Sequence, residues 1–420
     1  MSDQQRSVSD PFDLALADWR GGRFGAALAG LRKAASGGDA GCASLLLQMS
    51  ADPAAPAGAR ADAAAAILAG PDTPLLRRHA AFIRASGYGL EADPAAALAQ
   101  RLEAARGGDP LAMTEIALLT ALVPDETGRA STALALPLLE AAVEAGSAAA
   151  IAALLRLALE TGTVSAVARR RTSALGQSGH PLAAGLIAAT RALPETPARP
   201  AEARDSAWPE AATLLAAITE PAAPAQTLSA TPRVSRSAGF LPAMLCDYLA
   251  TQAASLLKPA QIFDPLTGQP RPDPYRQSLT AALPDGVMDL VLWAIKLRMA
   301  KLAGGHYDQG EALAVLLYRA GDQYRPHVDY LSDTGSVTAA DLARQGQRTA
   351  TTLVRLNQDF TGGDTIFPRL DVRWTGTAGD ALSFDNVDAD GAGDPLTLHA
   401  GEPVTAGMKI LASLWLRERA

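Results

Sequence analysis

Cysteine is nearly absent from this chain: Cys42 and Cys246 are the only two in 420 residues, and they lie far apart. That excludes a disulfide framework and a cysteine-rich zinc site, and makes two buried thiols the expectation. Charged residues are sparse at 19%, against 48% hydrophobic, so the chain is globular with cores to bury rather than disordered. An excess of positive charge is also missing. A formal net charge of −7 removes the basic face that nucleic acid or an anionic membrane requires. No stretch offers 18 uncharged apolar residues, and residues 1–19 carry no basic segment followed by an apolar core. These absences lead us to expect a soluble, cytoplasmic protein with neither a membrane nor a nucleic-acid partner.

What is present is unevenly distributed, and 420 residues are too many for one ordinary core. Residues 14–190 are dense in alanine and leucine at helical spacing, with few β-branched residues. Five segments align on Gly38, Gly70, Gly108, Gly146 and Gly179, which are 32, 38, 38 and 33 residues apart. A helix, a glycine at its C-terminal end and a second helix, repeated at such intervals, predict an α-solenoid. The pattern A-A-x-x-G-[DSH]-x-x-A resembles Sel1-type repeats, relatives of the tetratricopeptide repeats, although most of their aromatic positions are missing. A plain alanine-rich bundle is the alternative. The expected organisation is a helical repeat region over 1–190, a Pro/Ala-rich linker over 191–233 with room for one short helix at 208–219, and a second domain over 234–420.

In that second half aromatic and β-branched residues, Gly-Asp and Gly-Gly turns and short alternating runs become common, after two helical stretches. An antiparallel sheet or barrel follows from that pattern. Within "YRAGDQYRPHVDY", His327 and Asp329 stand two apart; on a strand such side chains leave the same face, roughly 6.5 Å apart. The chain has five histidines, and only His399 stands in a strand-like segment of the same half far enough downstream to be paired across a sheet. Two histidines and one carboxylate occupy one face of an octahedral iron and leave three positions open. Ten residues past His399 comes Lys409, after turn-forming Gly-Glu-Pro and Thr-Ala-Gly. A buried cation there suits the distal carboxylate of an α-keto acid, and without an anion it is costly to bury.

From Phe240 to Arg417 the chain closely resembles the prolyl 4-hydroxylase branch of the 2-oxoglutarate and Fe(II)-dependent dioxygenases. The resemblance rests on ordered motifs: "FLPAMLCDYL", "YRQS", "YRAGDQYRPHVDY", "RTATTLVRLNQDFTGGDTIFP", "GDALSFDN" and "LHAGEPVTAGMKILASLWLR". It implies a double-stranded β-helix (jelly-roll) fold with flanking helices, His327, Asp329 and His399 as iron ligands, and Lys409 on 2-oxoglutarate, helped by Tyr318 and Thr365. It further implies O2 as co-reactant, succinate and CO2 as products, L-ascorbate as a sustaining reductant, and hydroxylation of a prolyl residue in a peptide or protein.

In the last strand Lys409, Leu411, Ser413, Trp415 and Arg417 share parity, so Trp415 and Arg417 are candidates for the substrate mouth. The loop expected over 331–349 carries Arg344 and Arg348 and is the candidate lid or peptide-contacting segment. The helical repeats are the expected docking surface for an extended partner. Asp322 and Ile410 depart from the residues the family usually has at those positions, and neither is a ligand position. Asp329 favours hydroxylation over halogenation, which needs a small residue there. Hydroxylation of another residue or of a small metabolite, a cupin-type hydrolase, and a non-catalytic repeat adaptor are the competing readings.

Overall fold

The computed structural model describes residues 10–124, 132–180, 182–220, 225–263, 270–272, 276–332 and 336–419. Among the described residues between Pro11 and Thr190 nearly all the regular structure is helix, apart from the two-residue strand Val164–Ser165, and the helices pair into hairpins around the five aligned glycines. The turn at Gly108 shows the local logic. With φ at +92°, Gly108 ends the helix Pro94–Arg106 in a conformation that disfavours a side chain. Asp109 then caps Pro110–Thr120 by accepting from the backbone N–H groups of Leu111 and Ala112, and Pro110 occupies the first helical position. Asp39 and Ser147 cap the second helices of their hairpins in the same way.

Beside a two-stranded ribbon of Gln261–Phe263 and Pro270–Pro272, the second half contains two larger antiparallel sheets that do not close into a barrel. The larger has the strand order Gln226–Ala230, Arg233–Ser237, Ala381–Asp385, Arg348–Arg355, Val404–Arg417, Ala314–Arg319, Leu279–Ala282 and Lys258–Pro259, with Phe360–Gly362 also paired to Val404–Arg417. The smaller runs Tyr324–His327, His399–Gly401, Thr365–Phe367 and Val372–Trp374. Strand alternation sends the two faces of the larger sheet into different cores. Leu316, Tyr318, Leu353 and Leu411 join Phe367, Trp374 and Phe384 between the sheets. Val315, Leu317, Val354, Ile410 and Ala412 face the helices.

That helical side is continuous with the first half, because one cluster of buried residues runs from Ala15 to Leu416. The helix Leu290–Leu302 lies at its centre. It packs on Arg348–Arg355 and Val404–Arg417 on one side and on Pro74–Ser86 and Pro110–Thr120 on the other. Its N-cap Asp289 is fully buried, accepts from Leu292 N–H, and receives both Arg78 from the first half and Tyr248. Arg156 makes a second bridge, to Asp247.

The stretch expected to be a linker is mostly packed structure. Ala201–Ala207 contacts the helix Ala135–Glu144, and Ala211–Thr219, with Leu214 and Ile218 buried, contacts Pro94–Arg106 and Leu290–Leu302. The larger sheet already begins at Gln226. Prolines 197, 200 and 209 break continuous helix there, but the apolar stripe between them is buried like any core helix. Cys42 and Cys246 are buried thiols.

Candidate active site

His327 ends the strand Tyr324–His327, and His399 opens the strand paired with it; the two histidines are register partners. Asp329 lies two residues beyond the strand end rather than within it. The three side chains nonetheless converge: one donor atom from each lies within 4.8 Å of the others, and the Asp329 carboxylate oxygens sit 3.7 Å from each Nε2. Asp329 and His399 are buried and His327 is partly so.

Both imidazoles are oriented by backbone. His327 Nδ1 is 2.8 Å from Arg325 O, and His399 Nδ1 is 2.9 Å from Thr397 O. A carbonyl can only accept, so each Nδ1 carries the hydrogen and each Nε2 is left with its lone pair toward Asp329. Rings hold the histidines in place: Tyr324 stacks on His327 at 3.4 Å, while Phe367 and Phe384 flank His399 at 5.3 and 4.8 Å. Burial, reinforced by the neighbouring His399, holds the His327 imidazole well below its ordinary range, so it is neutral. Burial works to raise the Asp329 carboxyl, but the imidazoles, Arg348 and the Thr351 hydroxyl outweigh it and keep it below the usual carboxylate range. Two imidazoles with one carboxylate are a donor set that a divalent ion can use.

At the other end of the pocket Lys409 is 3% exposed, and its Nζ donates to Gly363 O at 2.6 Å. Tyr318 is its register partner, with the ring centroid 5.5 Å from Nζ. Gly363, at φ +69°, lets the chain come this close, since a Cβ there would stand 3.2 Å from Lys409 Cδ. Burial, then the charge of Arg355, pushes the Lys409 ammonium down to about 7. Thr365 is buried and lines the same pocket as Lys409, Tyr318 and the three converging residues.

The expected mouth residues divide. Lys409, Leu411, Ser413 and Trp415 all line the pocket, as their shared parity predicts. Arg348 stands beside them, bidentate on Glu311 at 2.7 and 2.8 Å and 4.6 Å over the Trp415 ring. Arg417 and Arg344 do not line the pocket. Arg417 bonds Glu311 at 3.0 Å and Asp341 at 2.9 Å, while Arg344 pairs with Asp341 at 2.8 Å on the surface. Arg417 therefore anchors the helix Ser336–Gln345, within which the Arg344–Asp341 pair lies, and this helix replaces most of the loop expected over 331–349. Its run of Ala, Leu, Arg and Gln favours helix over loop, and residues 333–335 of that loop lie outside the described residues.

Sequence reading missed the support for Asp329. Thr351 Oγ1 donates to Asp329 Oδ2 at 2.7 Å, and Asn386 Nδ2 donates to Thr351 Oγ1 at 2.9 Å. It also missed Glu311, which holds Arg348. The parity of "RTATTLVR" was a usable signal, since Thr351, Leu353 and Arg355 share one face.

Comparison with known proteins matches this geometry. A family model, the 2OG-Fe(II) oxygenase superfamily, matches residues 313–417. Prolyl 4-hydroxylase 1 of Arabidopsis thaliana is 32% identical over 209 residues, which cover 46% of this chain and 72% of that protein. The chain belongs to the prolyl 4-hydroxylase-like 2OG-Fe(II) oxygenases. Prolyl 4-hydroxylase subunit alpha-1 of Rattus norvegicus is also 32% identical, over 45% of this chain and 35% of that protein. The solved viral collagen prolyl hydroxylase from Paramecium Bursaria Chlorella virus-1 aligns at 25% identity over 44% of this chain and 95% of its own, with a TM-score of 0.34.

The family implies Fe(II) and 2-oxoglutarate, and the residues present fit both. Two Nε2 lone pairs and an anchored carboxylate face one point, and a buried ammonium bonded to a single carbonyl waits at the other end. Among the described residues no helix is long and apolar enough to cross a membrane.

Proposed function

We propose that this 2OG-Fe(II) oxygenase hydroxylates an unactivated C–H bond of a prolyl residue in a peptide or protein. One 2-oxoglutarate and one O2 are consumed; one oxygen atom enters the product hydroxyl, the other enters succinate, and CO2 leaves. The carrying observation is that the three donors and the buried Lys409 ammonium line one pocket. In this reading His327, Asp329 and His399 hold Fe(II), which when bound supplies the oxidising chemistry, with L-ascorbate restoring it after uncoupled cycles. Lys409 takes the distal carboxylate of 2-oxoglutarate through a charge-assisted hydrogen bond. Tyr318 and Thr365 line the cosubstrate path. Burial raises the Tyr318 phenol, so it remains a neutral donor.

At the mouth, the Arg348–Glu311 pair fixes a flat cation against Trp415, an arrangement that suits a peptide carbonyl beside a proline ring. We assign the docking of the surrounding chain to the helical hairpins of the 1–190 region. A cavity of about 620 Å³ in this region lies between Pro74–Ser86 and Pro94–Arg106 and includes Arg77, Arg84 and Gln100. The test is mass spectrometry of a proline-containing protein or peptide incubated with enzyme, Fe(II) and 2-oxoglutarate. A gain of one oxygen on proline, matched by succinate, is expected; oxygen placed on another residue rejects the prolyl assignment. Arg84→Glu is expected to slow modification of the whole protein and leave a short peptide unaffected. Equal rates on both reject docking on the hairpins.

A further inference from the structure

A second cation stands beside Lys409, next to the cosubstrate end of the pocket. Arg355 closes the strand Arg348–Arg355 and is 6% exposed. It is the register partner of Leu411, which places it diagonal to Lys409 on the same face of the larger sheet. Such neighbours are roughly 7 Å apart. The acid that acts on both cations is Asp364. Its carboxylate is already engaged at 3.0 Å by Arg373 and at 3.0 Å by Thr375.

The guanidinium of Arg355 is locked in place. Nη1 donates to the carbonyls of Thr375 and Gly376, the plane lies 4.4 Å over the Phe360 ring, and the buried Nε has no hydrogen-bond partner among the described residues. Phe360 opens the turn whose Gly363 carbonyl accepts from Lys409. A Cβ on Gly363 would meet Lys409 Cδ at 3.2 Å and Phe360 Cε2 at 3.4 Å. Contact therefore runs without a gap from Arg355 through Phe360 and Gly363 to Lys409. Two like charges buried this close are costly unless an anion shares them.

We propose that Arg355 is a positioning residue for the cosubstrate: it braces the Phe360–Gly363 turn around Lys409 and adds the second positive charge that makes this end selective for a carboxylate. The proposal rests on the assignment of Lys409 to 2-oxoglutarate. Three groups act on the Lys409 ammonium from the elements around it. Arg355 pushes it down from the adjacent strand, Asp364 raises it from the turn, and the neutral Tyr318 ring covers it from the strand Ala314–Arg319. Removing the Arg355 charge therefore weakens the attraction for the ligand and at the same time lets Lys409 keep its proton to higher pH.

The test is calorimetric binding of 2-oxoglutarate to the full-length Fe(II)-loaded protein without oxygen, across pH, for wild type, R355Q, R355K and K409A. R355Q is expected to bind roughly tenfold more weakly at acidic pH, where Lys409 is charged. Its alkaline loss of binding should move up by about one pH unit, with kcat at saturating 2-oxoglutarate unchanged. R355K should keep the wild-type pH midpoint but bind more weakly, because an ammonium cannot brace two carbonyls and a ring together. A purely structural Arg355 would leave the midpoint in place. R355Q with wild-type affinity and midpoint, beside an impaired K409A, overturns the role of Arg355 alone. Normal binding by K409A overturns the assignment of Lys409 beneath it. If R355Q does not fold, R355M takes its place: weaker binding at acidic pH with a raised midpoint supports the proposal, and wild-type affinity and midpoint overturn it.

Discussion

Thr351 Oγ1 donates to Asp329 Oδ2 at 2.7 Å and thereby fixes the carboxylate that faces both histidines. The bond is buried, and Asn386 donates to the same hydroxyl. Losing such support around a ligand typically costs 10–100-fold in metal affinity. Thr351→Val keeps the shape but not the donor. It should therefore weaken iron binding by about that factor, with the melting temperature almost unchanged, while Thr351→Ser recovers most of it. Metal titration followed by thermal unfolding distinguishes this from a general loss of fold.

Lys409→Ala removes a charge-assisted hydrogen bond, a class worth about 1.5–3 kcal/mol. The expected effect is a roughly 10–100-fold rise in KM for 2-oxoglutarate, with iron affinity left as it was. Steady-state kinetics and metal binding read the two separately. Equal weakening of both would place Lys409 outside the cosubstrate site.

Because burial and Arg355 hold Lys409 at about 7, its charge is present below that pH and lost above it. A carboxylate needs the charged form. Affinity for 2-oxoglutarate should be flat on the acid side and fall by up to about tenfold per pH unit above the midpoint. Lys409→Arg, charged throughout, should abolish that limb. The same shift acts on the fold without cosubstrate. There the unfolded chain binds a proton that the folded one has released, so stability rises with pH from about 7 toward the ordinary lysine value.

Asp289 joins the two halves by capping the helix Leu290–Leu302 and receiving Arg78. Asp289→Ala takes from the Arg78 guanidinium its nearest carboxylate and leaves it Glu115 at 3.4 Å, a loss that costs up to about 3–5 kcal/mol. With a core running from Ala15 to Leu416, both halves should unfold in one transition that moves to lower temperature together. Separate melting of helical and sheet signals would show that the core is not shared.

Much of the site was legible from spacing. His327, Asp329, His399 and Lys409 stand in ordered motifs, and period-two alternation correctly sent Lys409, Leu411, Ser413 and Trp415 to one face. Arg417 shows the limit of that rule. It has the right parity, but its partners Glu311 and Asp341 come from distant segments, and pairing decides where a guanidinium ends up. Thr351 and Asn386 were hidden for the same reason, since a hydroxyl on a strand reveals its acceptor only once strands are paired. The short helix expected near 208–219 is present as Ala211–Thr219; its packing depended on a surface supplied by Pro94–Arg106 and Leu290–Leu302, which local composition does not encode.

The decisive experiment follows isotope from 18O2 in a reaction with 2-oxoglutarate and a proline-containing substrate, comparing wild type with Asp329→Ala. Wild type should place one labelled atom in succinate and one in the hydroxylated product in equal amounts, and Asp329→Ala should place label in neither. Product formed without labelled succinate, or labelling that survives in Asp329→Ala, would contradict the assignment of His327, Asp329 and His399 as the iron site of this oxygenase.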